Sequence, residues 1–196
     1  MARKQVQAKR KMQILKALDS CLQEKSFQQT SIKDIARVAG VNHGVLHYYF
    51  ASKDDILLNY IDYVIDDYRD QVREWIAKKD ISKLDKRRFI EEIFAFINNK
   101  ITLNRNLSRI FIEIWEIGIY NDAVRERLRH MYFAWIQELT SYISRFVPDE
   151  KFARNISVSM VAFWEGMALF SAIIEPDCLD IAEVLGRFQE RILEIL

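Results

Sequence analysis

TSIKDIARVAGVNHGVLHYYFASK, residues 30–53, reads as two short helices with a tight corner between them. Ile32, Ile35, Ala36 and Ala39 fall on one side of a helix, an apolar stripe on an otherwise polar segment. Thr30 or Ser31 can cap its start by accepting from a free backbone N–H, and Asp34, three residues past Ser31, completes a capping-box pattern. Gly40 can take a positive φ at no steric cost, which a sharp helix exit needs. Val41 re-enters the core and Asn42 can cap a second helix running through Tyr49. That helix is expected to bury Val41 and Leu46 and to expose Asn42, His43, Val45, His47 and Tyr48. Two helices joined by a short glycine-containing turn make a helix-turn-helix, whose second helix lies in a DNA major groove.

The run GVNHGVLHYYFASKDDIL, residues 40–57, resembles the signature of the tetracycline-repressor (TetR) family of bacterial regulators. In that family a Gly-Val-Ser-x-Gly-x-Leu-Tyr-x-x-Phe-x-Ser-Lys-Glu run closes the DNA-binding domain. The resemblance implies that Gly44 permits close approach to a base edge while His43 and Val45 face the groove. It also implies that Tyr48, Lys53 and Thr30 or Ser31 meet phosphates. Asn42 stands where the family has Ser, and His47 where it has Tyr. Both keep a hydrogen-bonding group, so the docking mode is preserved while the preferred base sequence is altered.

Charge follows the same division. Residues 1–53 hold ten Lys and Arg against Asp19, Glu24 and Asp34, whereas the rest of the chain holds nineteen basic and twenty-five acidic residues. A basic end on a neutral-to-acidic body suits a nucleic-acid partner. Half the residues are hydrophobic, with only 2 Pro and 5 Gly, and no period-2 alternation bounded by turn pairs suggests a strand. Cys21 and Cys178 form no spaced pair, which fits a reducing, cytoplasmic setting. The basic start lacks the apolar stretch of a secretory signal. The most apolar segment, residues 158–174, is interrupted by Glu165 and Gly166 and reads as a core helix rather than a membrane span.

A first helix at about residues 5–25 follows a basic arm at 1–4, and a long helix at 53–79 begins at the cap Ser52. With no linker before it, that long helix belongs to both regions. Further helices are expected at 86–103, 106–118, 121–146, 149–174 and 178–195, broken near Asn104, Gly118, Pro148 and Pro176. The fold class is therefore all-α: a three-helix DNA-binding domain at 1–53, joined by a continuous helix to a helical bundle at 54–196, about nine helices in all.

The final helix places Ile181, Leu185, Phe188 and Ile192 at steps of four and three, a coiled-coil-like seam. A terminal helix can bury such a seam in its own chain. The family resemblance implies instead that the last two helices pair with a second copy, with Phe170 joining that seam, and that the homodimer reads a palindromic operator in double-stranded DNA.

Regulators resembling this one are mostly repressors released by a small apolar effector held in the helical body, and Tyr68, Trp115, Tyr132, Trp135, Trp164 and Met167 are the candidate walls. Glu113, Glu116 and Glu165 lie near aromatic residues in sequence and would suit a cationic ligand. The stretch IEIWEIGIYNDAVRERLRHMYFAWIQEL, residues 112–139, resembles the choline-responsive repressor branch of the family. At helical spacing, however, aromatic residues more often form core. His43 and His47 have a spacing that can hold a metal, but no third ligand is near in sequence, and Asp62, Asp66, Asp67 and Asp70 alternate with arginines as a solvated face does. No nucleophile elbow, phosphate-cradling loop or HExxH is present, so no enzymatic activity, catalytic residue, cofactor or metal is expected. The rival readings are an all-helical protein-interaction module and an architectural DNA binder without an effector.

Overall fold

The computed structural model describes residues 2–196, with side chains for all of them except Ala2, Arg3, Lys4 and Ser82. Among the described residues there are nine α-helices and no strand. They are α1 (Ala2–Glu24), α2 (Ile32–Ala39), α3 (His43–Tyr49), α4 (Lys53–Lys79), α5 (Lys86–Ile97), α6 (Arg105–Tyr120), α7 (Asp122–Ile143), α8 (Glu150–Ile173) and α9 (Ile181–Ile195). A 3₁₀ turn, Ile81–Lys83, precedes α5, and a π turn, Asn98–Thr102, continues it. The basic arm expected at 1–4 is not separate: α1 begins at Ala2, while Met1 and the side chains of 2–4 lie outside the described residues.

The chain forms two compact units, one of residues up to Gln71 with Glu113–Arg127, the other of Val72–Ile112 with Leu128–Leu196. Three helices, α4, α6 and α7, pass from one unit into the other.

In the first unit α1 packs on α2, and α2 on α3. Ile14, Leu15, Leu18, Cys21 and Leu22 of α1 are buried, as are Ile35, Ala36 and Ala39 of α2, Leu46 of α3, and Phe27 and Phe50 from the connectors. The corner closes as its residue types require. Ser31 caps α2 by accepting from Asp34 N–H at 3.1 Å, while the Asp34 carboxylate accepts from Ser31 N–H at 2.9 Å. Lys25, 2.7 Å away, and Ser31 hold the Asp34 carboxyl well below the usual carboxylate range. Gly40 ends α2 with φ +62°, donating to the carbonyls of Ala36 and Arg37. A side chain there would be strained by the backbone alone.

The second unit has its own core. Phe89, Ile90, Ile93 and Phe94 of α5 meet Leu139 and Ile143 of α7, Met160, Trp164 and Met167 of α8, and the last helix. Here the dimer-seam expectation for α9 is corrected. Ile181, Leu185 and Ile192 are buried within the chain, Leu185 at 1% exposure, and Phe188 stacks on Phe163 with ring centroids 3.8 Å apart. Of the residues assigned to that seam, Phe170 of α8 alone is exposed, at 41%. The spacing identified a covered face, and what covers it is this chain's own core.

Candidate DNA-binding face and effector site

α3 is seven residues long, too short to hold its shape alone. It is fixed from both ends and from beneath. Asn42 caps it, its Oδ1 accepting from Gly44 N–H at 2.9 Å, Leu46 is buried below it, and the Phe50 N–H closes it onto the Leu46 carbonyl. Asn42, His43, Gly44, His47 and Tyr48 are thereby left exposed, and Val45 and Val41 half-buried. The His43 and His47 rings meet edge-on at 4.8 Å. Tyr48, 63% exposed, accepts at its hydroxyl from Gln7 of α1 at 3.3 Å, and Gln13 of α1 donates to the Ala39 carbonyl at 2.6 Å. Exposed cations lie on the same helices: Lys9, Arg10, Lys11 and Lys16 on α1, Lys33 and Arg37 on α2.

Three residues expected on phosphate do other work. Thr30 is 1% exposed and donates its hydroxyl to the Ser26 carbonyl at 2.9 Å, and Ser31, though exposed, already gives its hydroxyl and its N–H to the Asp34 carboxylate at 2.7 and 2.9 Å. The Lys53 ammonium donates to the carbonyls of Phe27 at 2.8 Å and Thr30 at 3.0 Å, and lies 4.2 Å from the Phe27 ring centroid. Two of its three donors thus tie the α1–α2 connector to the start of α4. Glu113 was grouped with the candidate cation ligands, yet its two carboxylate oxygens accept from the Phe27 N–H at 3.0 and 3.1 Å. Its charge makes a second tie to the same residue. Nothing in the sequence joins positions 27, 53 and 113.

The remaining effector candidates divide between the units. Tyr68 and Trp115 belong to the first, Tyr68 buried and Trp115 half-buried. Tyr132, Trp135, Trp164 and Met167 belong to the second, together with Glu165. There the Trp135 ring stands edge-on to Tyr132 at 5.7 Å, and Trp164 stands edge-on to Phe94 of α5 at 5.1 Å. Glu165 is half-buried and pairs with no cation among the described residues; burial pushes its carboxyl up to about 7, against the hydrogen bond that Tyr132 donates to it. A half-buried carboxyl poised near neutrality and hydrogen-bonded to a tyrosine is an arrangement that a cation would complete. Glu116 and His130 are exposed. Asp62 pairs with Arg127 at 2.9 Å and Asp66 with Arg69 at 2.9 Å, and no cluster of three metal-ligating side chains occurs among the described residues.

Residues 14–60 match the profile of the bacterial regulatory proteins of the tetR family. Over those residues the chain carries the DNA-binding region of the TetR family. The HTH-type transcriptional regulator BetI 2 of Chromohalobacter salexigens is 25% identical over 177 residues, spanning 89% of this chain and 82% of that protein. A transcriptional regulator from Saccharomonospora viridis, solved in complex with choline, matches with a TM-score of 0.77 at 18% identity over 93% of this chain and 96% of that one. FadR from Bacillus subtilis, solved in complex with stearoyl-CoA, matches with a TM-score of 0.66 at 18% identity over 91% and 95%. This protein is a transcriptional regulator with a helix-turn-helix DNA-binding domain of the TetR type.

Proposed function

We propose that this regulator is a homodimeric repressor that reads a palindromic operator with one α3 per half-site and leaves DNA when a small effector occupies the helical body. The observation that carries the DNA reading is α3 itself: capped, anchored by Leu46, and exposing polar groups at 42, 43, 47 and 48, with six exposed cations on α1 and α2. Asn42, His43, Gly44, Val45 and His47 would meet base edges, with Tyr48 on phosphate. Two copies would hold their reader helices about 34–36 Å apart.

Pairing is supported by α8. Among the described residues it is the helix whose length and composition would suffice to cross a membrane, yet its apolar character has another explanation. One side lies in the core; another exposes Val158 (41%), Phe170 (41%) and Ile173 (66%). A Cβ built on Gly166, within this helix, meets nothing within 4 Å. An uncovered apolar face of this kind marks an interaction site, and a second α8 is its proposed occupant. The protein is then a soluble cytoplasmic dimer.

For the effector, Glu165 with Tyr132, Trp135 and Trp164 favours a small cation with an apolar surround, and the complexes of this fold with choline and with stearoyl-CoA support an internal small-molecule site. Its leverage equals its differential affinity for the two conformers of the dimer. The test is selection of duplexes from a random pool, then a gel shift over a salt series. Enrichment of a palindrome, bound with a steep inverse salt dependence, is expected. Recovery of no preferred sequence would refute the repressor reading.

A further inference from the structure

Three buried side-chain polar atoms among the described residues have no hydrogen-bond partner: Asn98 Oδ1, Thr102 Oγ1 and Trp164 Nε1. Thr102 is fully buried and Trp164 is 6% exposed. Scattered, they would be ordinary imperfections, but they share one seam. Asn98 and Thr102 open and close the π turn that continues α5. One turn before Asn98, Phe94 meets Trp164 of α8; at the far end, the Thr102 carbonyl accepts from the Ser171 hydroxyl at 3.0 Å. The α5–π segment and this part of α8 therefore run side by side in the same direction, with Asn98 in the turn between the two contacts. From Trp164 to Ser171 the seam is roughly 10 Å long at 1.5 Å per residue.

A buried donor or acceptor without a partner is costly, and native folds keep few of them. Phenylalanine at 164 or valine at 102 would fill much the same space without that cost. Breaks from α to π geometry also concentrate at functional sites. The three atoms define what would satisfy them. An indole N–H only donates, an amide oxygen only accepts, and a threonine hydroxyl does either. The Ser171 hydroxyl is already engaged with the Thr102 and Ala168 carbonyls. A carboxylate or phosphate would set lone pairs against Asn98 Oδ1, and an ammonium would leave the indole unmet. A neutral group that both donates and accepts meets all three.

We propose that the seam between the α5–π segment and α8 is a subsite for the hydroxyl or carboxamide end of the effector, with Trp164 donating, Asn98 accepting and Thr102 completing the set. This rests on the reading of the second unit as an effector site and assigns its ligand a neutral polar end in addition to any cation at Glu165.

The test compares choline with ethyltrimethylammonium, the same cation without a hydroxyl, by titration calorimetry on the full chain. Wild type should bind choline about tenfold tighter, the worth of one net hydrogen bond. Thr102→Val should weaken choline while leaving ethyltrimethylammonium unchanged, and Trp164→Phe should weaken choline by more than it weakens ethyltrimethylammonium. Equal affinities in wild type, or variants that weaken both probes alike, overturn the subsite and leave the cation reading standing. If neither probe binds, the cation reading fails, and a crystal structure of the ligand-free protein decides the subsite. Ordered water bonded to Trp164 Nε1 and Asn98 Oδ1 supports it; a dry, closed seam overturns it.

Discussion

Phe27 is held from two sides, and removing either hold should loosen the DNA-binding unit without touching its reader helix. Its N–H is accepted by both Glu113 oxygens and its carbonyl receives the Lys53 ammonium, which also reaches the Thr30 carbonyl. A hydrogen bond to a charged group contributes about 1.5–3 kcal/mol. Glu113 is half-buried, so part of its gain is offset by desolvation, the cause that raises its carboxyl pKa. Glu113→Ala is therefore expected to cost about 1.5–2 kcal/mol, near the low end of that range. Lys53→Met loses two such bonds and a cation–π contact worth about 0.5–1 kcal/mol, and because Lys53 is only half-buried and solvent screens its charge, the loss should fall below their sum, at about 2–3 kcal/mol. Both variants act on one residue, so the double variant should cost less than their sum. Urea unfolding at a fixed chain concentration gives the measurement, with the midpoint shifted and the slope unchanged. A Lys53→Met protein within about 0.5 kcal/mol of wild type would refute the clamp. So would a DNA-binding salt slope reduced by about 1, since that would put the ammonium on a phosphate after all.

Three further outcomes follow from particular side chains. Because the Glu165 carboxyl rises from 4.5 to about 7 on folding, the folded chain binds that proton more tightly than the unfolded one. Its contribution is complete below the unfolded value and is lost as pH rises through 7, by at most about 3 kcal/mol. Relative to wild type, Glu165→Gln should thus gain thermal stability at pH 8 and not at pH 4, and equal melting shifts at both would count against it. Leu185→Ala should cost about 2–5 kcal/mol by opening a cavity inside one chain; if it merely lowers the dimer fraction at unchanged monomer stability, α9 has been misplaced. Gly166→Arg should leave the chain folded by circular dichroism but elute as a single 23.3 kDa chain in light-scattering chromatography, and a persisting dimer would show that α8 does not pair through this face.

The helix-turn-helix was legible because its determinants are local. Ser31 with Asp34, Gly40, and Asn42 with Gly44 act within four residues of one another, and each stands in the structure as its chemistry demands. The continuous α4 was legible for the same reason, with Ser52 as cap and Asp54 and Asp55 in its first turn. Errors arose where a local pattern has two solutions. A stripe at 181, 185, 188 and 192 says that a face is covered, and an intrachain core satisfies it as well as a partner does. Lys53 beside a DNA-binding motif suggests phosphate, but backbone carbonyls 23 and 26 residues earlier in the chain reach its ammonium first. Thr30 and Ser31 are adjacent and chemically alike, and a single step along the chain separates a buried hydroxyl from an exposed cap. Asn98 and Thr102 read as ordinary polar residues near a helix end until the π turn places them against Trp164's helix.

The reassignment of Thr30 and Lys53 changes where affinity for DNA should reside. With Lys53 committed to the connector, the exposed cations on the two helices that precede α3 are Lys9, Arg10, Lys11 and Lys16 on α1 and Lys33 and Arg37 on α2, Arg37 lying 4.0 Å from Asp34. Charge beside a reader helix sets register and on-rate but carries no sequence information. In the proposed docking, base preference would then fall on few side chains, Asn42, His43, Val45 and His47, since Leu46 is buried and Gly44 offers only backbone. Four such contacts discriminate too few base pairs to single out one site in a genome. A second copy doubles the sequence read and fixes the spacing between half-sites, and the exposed apolar face of α8 is a surface through which it can be held. The two proposals therefore support each other: a reader this small is useful in pairs, and a helix this apolar is soluble when paired.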